Sequence, residues 1–151
     1  MSYLDFVHNL ITKNLFFHEV MHGLLAIPFA LLYWKKTGKV ALAFVVVIVT
    51  YVLDLDHLID YFLFYGFHFN LFEFVDMRYF EISQRAIVPL HAWEWIFLLR
   101  LVSLKRGWKS FATALILGMI PHLVLDTFVQ SDLWFYSIIH RAFIDEHGFL
   151  R

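Results

Sequence analysis

Apolar positions along the chain gather into four long runs, separated by short stretches that carry the charges and most of the glycines. The runs cover 15–34, 40–65, 87–104 and 109–130. Each is long enough, or nearly so, to cross a hydrocarbon core of roughly 30 Å at about 1.5 Å per helical residue. Gly38, Gly66 and Gly107 fall in or beside the connections, where helices end. The pattern predicts an all-α protein: an integral membrane bundle of about four transmembrane helices, forming one membrane-embedded domain over 1–151. Three flanking pieces, 1–14, 67–85 and 131–151, are mixed in character. In the first, Leu4, Val7, Leu10 and Ile11 recur at helical spacing opposite Asp5 and Asn9, which suits an amphipathic helix lying in the interface. The segment FHFNLFEFVDMRYF opens with period-two alternation and reads either as a strand-like lid or as a re-entrant loop. The last piece sets Trp134, Phe135, Ile138 and Ile139 before a charged tail, again an interfacial pattern.

Composition supports the membrane reading. Of the 151 residues, 61% are hydrophobic and mean hydropathy is +0.68, well above the usage of soluble chains. A net charge of −1 without long runs of one sign gives no reason to expect a nucleic-acid partner. Cysteine is absent, which excludes disulfides and thiolate metal ligands. The opening MSYLDFVHNLITKN lacks the features of a signal peptide, so insertion is expected to rely on the internal helices. Lys35, Lys36 and Lys39 mark the first connection, and Lys105, Arg106 and Lys109 the third. The positive-inside rule places both in the cytoplasm, and both chain termini and the second connection outside. Trp34 and Trp108 then lie at the cytoplasmic edge, and Trp93, Trp95 and Trp134 toward the other.

The ionisable residues inside the apolar runs are concentrated at one level. Run one holds His18, Glu19 and His22, and run two ends with Asp54, Asp56, His57 and Asp60. Run three opens with His91 and Glu94, and run four holds His122 and Asp126. His22, Asp56, His91 and His122 each lie thirteen to seventeen residues from the nearest basic connection. That separation is roughly 20–26 Å of helix, so an up-down bundle brings all four sets to one height near the outer leaflet. Facing lipid, each such group would cost on the order of 2.5–3.5 kcal/mol, so they are expected to turn inward and meet partners. His and carboxylate pairs at i, i+3 or i, i+4 share a helix face, which lets His18/His22, Asp56/Asp60, His91/Glu94 and His122/Asp126 each offer two groups to a common cation. The donors are nitrogen and oxygen without sulfur, and suit Zn2+ first, with Mn2+ and Fe2+ as alternatives.

On an ideal helix Asp54, Asp56, His57 and Asp60 fan across about 160°, too wide for one centre. Asp56 and His57 are the favoured ligands, with Asp60 or Asp54 orienting an imidazole. Pro121 directly before His122 is expected to kink run four beside the site. Singly, any of these residues is as well explained by a helix–helix hydrogen bond. His8, His68, His140 and His147 lie in the flanking pieces and read as surface or interface residues.

Two motif resemblances follow. The string HEVMH is a literal HExxH, in which His18 and His22 would bind zinc and Glu19 would act as general base. Within an apolar run it resembles the intramembrane site-2-type metalloproteases, with Asp126 in VLDTF standing loosely for their later Asp. The second resemblance covers all four runs. MHGLLAIPFAL, VLDLDHLID, LHAWEWIFLL and GMIPHLVLDTF look like the conserved segments of the bacterial LexA-regulated, membrane-bound metal-dependent hydrolases, a group similar to the zinc-dependent phospholipases C. It implies His22, Asp54, Asp56, His57, His91, His122 and Asp126 as metal residues. The chain departs from the family pattern at Leu53, where the family has Pro, and at Ala92, where it has Ser. It also lacks the Arg-containing half-motif before His91.

The expected function is a membrane-bound metal-dependent hydrolase acting on a phosphoester of a lipid or lipid-linked substrate, with Glu94, Glu19 or Asp60 as proton-transfer or orienting groups. The alternatives are the HExxH metalloprotease and a metal-binding transporter subunit, which four spans would serve only as an oligomer.

Overall fold

In a computed structural model of the chain, residues 14–83, 86–130 and 132–143 are described. The amphipathic N-terminal segment, with His8, and the C-terminal tail, with His147, lie outside them. Among the described residues there is no strand, and the protein is an all-α bundle.

Helix α1 runs Leu15–Thr37. It starts where the Asn14 side chain accepts hydrogen bonds from Phe16 N at 3.0 Å and Phe17 N at 3.4 Å, and it stops at Gly38, whose φ of 71° needs a residue without Cβ. Helix α2, Val40–Leu53, continues through a tight 3-10 turn, Asp54–Asp56, into α3, His57–Tyr65. Together these form one apolar rod that ends at Gly66, φ 72°. Two short helices follow, α4, Leu71–Val75, and α5, Arg78–Ser83. The alternation in FHFNLFEF therefore produces no strand. Asn70 caps Phe72 N at 2.9 Å and starts a helix there instead.

Helix α6 occupies only Trp93–Ser103. Eleven residues span roughly 16 Å, so the third expected crossing is too short, and among the described residues three helices rather than four are long and apolar enough to span a membrane: Leu15–Thr37, Val40–Tyr65 and Phe111–Gln130. The cause is local. Pro89 disfavours helical backbone at Val88, which takes φ 26°, and residues 86–92 become a loop. Helix α7 is Phe111–Gln130. A 3-10 turn, Trp134–Tyr136, leads into α8, Ile138–Phe143.

Helices α1, α2 and α7 pack on one another, and α6 lies on α7. The two basic connections meet at one end, where Lys39 Nζ donates to Lys109 O at 3.2 Å and Tyr33 Oη donates to Ser110 O at 3.3 Å. From that end upward the interior is layered. First come Tyr33, Ala43, Val46, Ala114 and Leu117, and then Val49, Leu53 and Met119. A layer of buried His and Asp side chains follows. It is capped by Val88, Leu123, Phe135 and Tyr136. Leu24, Ile27, Leu31, Phe44, Ile48, Phe97 and Phe128 are exposed on the outer faces. That much outward apolar surface on long rods is what a lipid solvent requires.

Helices α2 and α7 come close at Gly118, where a Cβ would overlap Val49 Cγ1 and the carbonyl oxygen of Val46. Close backbone approach through a small residue is a standard device of helix pairs in membranes. Gly118→Val is expected to cost about 1–3 kcal/mol through overpacking. Thermal unfolding of the purified protein in detergent reads this, and an unchanged midpoint would rule the close approach out.

Candidate metal centre

The 3-10 turn answers the problem of the wide fan. In such a turn residues i and i+3 eclipse, so Asp54 and His57 stand side by side with Asp54 Oδ1 3.1 Å from His57 Nε2. Asp56 and Asp60 are turned toward the loop 86–92 instead. Asp54 and Asp126 are the two hubs. Asp126 Oδ1 lies 3.0 Å from Nε2 of both His18 and His22, and its Oδ2 lies 3.2 Å from His122 Nε2 and 3.5 Å from His91 Nε2. Asp54 Oδ1 is also 3.2 Å from His91 Nε2 and 3.7 Å from His122 Nε2, and its Oδ2 is 4.0 Å from His22 Nε2. The Nε2 atoms of His91 and His122 face each other at 2.9 Å, and the His22 and His122 rings stack with centroids 3.7 Å apart. All seven residues are buried.

Four groups of three have donor atoms within 4.8 Å of one another: His18, His22 and Asp126; His22, Asp54 and His122; Asp54, His57 and His91; His91, His122 and Asp126. Ordinary hydrogen bonding does not satisfy the cluster. Both ring nitrogens of His22, Asp54 Oδ2, His57 Nδ1, His122 Nδ1 and Asp126 Oδ2 are buried with no hydrogen-bond partner, a condition that costs about 1–3 kcal/mol per group. Ligand atoms around a tetrahedral cation at 2.0–2.1 Å stand about 3.3 Å apart, close to the separations of 2.9–3.5 Å among the nearest donors here. The donor set, its spacing and its orphaned atoms fit a cation.

Asp56, expected as a ligand, belongs to none of the four groups. Its Oδ2 accepts from Leu90 N at 2.8 Å and from His91 Nδ1 at 3.1 Å, which orients the imidazole and turns Nε2 toward Asp54. Asp60 is likewise directed at the loop, accepting from Ile87 N at 2.9 Å and Val88 N at 3.4 Å. Glu94 accepts from Ser137 Oγ and from the N–H groups of Ile138 and Ile139 at the start of α8. Glu19 is nearer the cluster. Its carboxyl lies against Asp54, and its Oε2 is buried without a partner. His68 and His140 are outside the cluster.

Two residues were not visible as site components in the sequence. Tyr136 has its ring centroid 6.0 Å from that of His91, and burial, with the charges of Asp126 and Asp54, pushes its phenol well above the ordinary value, so it stays protonated. Arg141 is fully buried and binds carbonyl groups of the loop. The signal for Arg141 was a lone cation inside the apolar string IIHRAF, masked by its place in an interfacial-looking tail.

The chain matches no protein-family model, no curated protein and no solved structure. What the fold and site define on their own is a helical bundle with three membrane-length rods and a buried His/Asp cluster capable of holding cations.

Proposed function

We propose that the protein is a membrane-bound metal-dependent hydrolase acting on a phosphoester of a lipid or lipid-linked substrate. The observation that carries this reading is the cluster itself: five imidazoles and two carboxylates from three helices, a 3-10 turn and a loop, converging in an apolar bundle with six of their ring and carboxylate atoms lacking a hydrogen-bond partner. Two of the four triads share no residue, His18/His22/Asp126 and Asp54/His57/His91, and His122 lies between them. On this reading the protein holds two cations, one at each triad, Zn2+ by donor type, with Mn2+ and Fe2+ as the other metals such donors accept. Bound there, a cation would supply Lewis acidity and a water whose pKa is lowered toward 7. The chain's own groups do the rest. Asp54 and Asp126 place negative charge between the imidazoles, Asp56 fixes the His91 ring, and Glu19, the carboxyl beside the cluster, accepts and returns the proton. With the basic connections in the cytoplasm, the cluster lies toward the non-cytoplasmic head groups. The resemblance to the LexA-regulated membrane hydrolases points the same way.

The test is turnover of a phosphodiester and of phospholipid by detergent-purified protein, with elemental analysis before and after chelation. Two ions per chain are expected, with activity lost on chelation and restored by Zn2+. Equal rates with and without chelator would reject the proposal.

One observation favours a second reading. His18, His22 and Asp126 form a compact triad around the HExxH string, as an intramembrane metalloprotease would need, with Glu19 as base. It leaves Asp54, His57 and His91 without work.

A further inference from the structure

We propose that Arg141 is a positioning residue for the metal centre: it grips the backbone of the loop 86–91 and so sets how tightly Asp54, His57 and His91 hold their cation. This rests on the metal-binding reading above.

The loop has no helical or strand ladder of its own, yet it delivers an imidazole that must be placed to a few tenths of an ångström. Its N–H groups are taken on one side by carboxylates of the α2–α3 rod: Ile87 and Val88 by Asp60, and Leu90 by Asp56. The carbonyl groups of its first three residues are taken on the other side by one guanidinium. Arg141 Nη1 donates to Ala86 O at 3.1 Å and to Ile87 O at 3.0 Å, and Nη2 reaches Val88 O at 3.5 Å. The planar fork of Arg suits several acceptors at once. Arg141 is 1% exposed, and its guanidinium carbon lies 5.4 Å from the Phe135 ring centroid. Burying a cation this completely is costly unless acceptors and opposite charge surround it.

The grip has strain to hold. Val88 has φ 26°, a conformation a β-branched residue adopts only when its surroundings impose it. Three residues on, His91 is caught between Asp56 at Nδ1 and Asp54 and His122 at Nε2. The anchor of Arg141 is itself fixed, since Arg141 N donates to Ser137 O at 3.0 Å and Glu94 accepts from Ser137, Ile138 and Ile139. The chain thus closes a ring: Glu94 holds the start of α8, α8 carries Arg141, Arg141 holds the loop, and the loop leads through His91 back to α6. The other triad, His18/His22/Asp126, lies on α1 and α7 and has no member in this ring.

The experiment is a Zn2+ titration of the full chain in detergent, wild type against Arg141→Met and Arg141→Lys, repeated with Co2+ for its visible absorption. In Arg141→Met one of the two ions should bind 10–100-fold more weakly, the usual effect of losing a supporting partner behind a ligand. Its Co2+ band should change while the other ion keeps its affinity. Arg141→Lys should recover part of the loss. Wild-type affinity for both ions in Arg141→Met would overturn the proposal, and so would equal weakening of both, which would make Arg141 a general structural support. If the wild-type protein binds no cation, the metal-binding reading falls first and this proposal with it. Should Arg141→Met fail to fold, Asp60→Asn loosens the same loop from the opposite face and must weaken the same ion, so unchanged binding there would also overturn it.

Discussion

Asp126→Asn is expected to strip metal from the protein and lower phosphoester turnover roughly a thousandfold, the rate equivalent of the several kcal/mol a Lewis-acidic cation contributes. Nearly the same volume remains, but the charge goes. Its two carboxylate oxygens lie within 3.5 Å of the Nε2 atoms of His18, His22, His91 and His122, whereas the other hub, Asp54, has two of its four imidazole neighbours farther away, at 3.7 and 4.0 Å. An amide cannot neutralise a cation, and its NH2 presents hydrogens to imidazoles that should offer lone pairs. Metal affinity should fall by more than the 10–100-fold typical of an outer partner. Elemental analysis and turnover on one preparation decide the matter: two retained ions with normal rates would remove Asp126 from the centre.

Glu19→Gln should behave in the opposite manner. Its carboxyl lies against Asp54 but belongs to none of the ligand triads, so the ions should stay while turnover falls by about 10²–10⁴, the range for loss of a general acid–base group. Paired with Asp54→Asn, it separates the two enzyme readings. A phosphoesterase using both triads loses activity in either variant, whereas a protease built on His18, His22 and Asp126 loses it in Glu19→Gln and tolerates Asp54→Asn. A Glu19→Gln protein with wild-type phosphoesterase rates would leave the proton-transfer role vacant.

The sequence carried much of this arrangement because hydrocarbon punishes stray polar groups. Acids and imidazoles at matched distances from two basic connections could only be reconciled by turning inward at one depth, and His18, His22, Asp54, His57, His91, His122 and Asp126 do meet. What helical periodicity could not convey was the local departure from an α-helix. A uniform 100° per residue hides the eclipsed pair Asp54 and His57, which comes from a tighter turn. The same assumption stretched run three into a crossing, although Pro89 and the loop before it leave only Trp93–Ser103 helical. Asp60 and Glu94 share the residue type and depth of ligands, yet their oxygens go to backbone N–H groups. Such long-range choices depend on which segment packs overhead, and a pattern read along one chain does not reach them. The period-two stretch at 67–74 was outvoted by one capping side chain, Asn70.

The tight crossing at Gly118 has a bearing on coordination chemistry. His122 stands one turn beyond Gly118 on α7, and Asp54 follows soon after Val49 on the facing rod, so the gap between imidazole and carboxylate, now 3.7 Å, is gauged by how near two backbones can come below it. A residue with no donor atom thereby sets the bore of the site. A single methyl group wedged at that level would widen the bore, and the ligands, unaltered themselves, would no longer reach a shared ion.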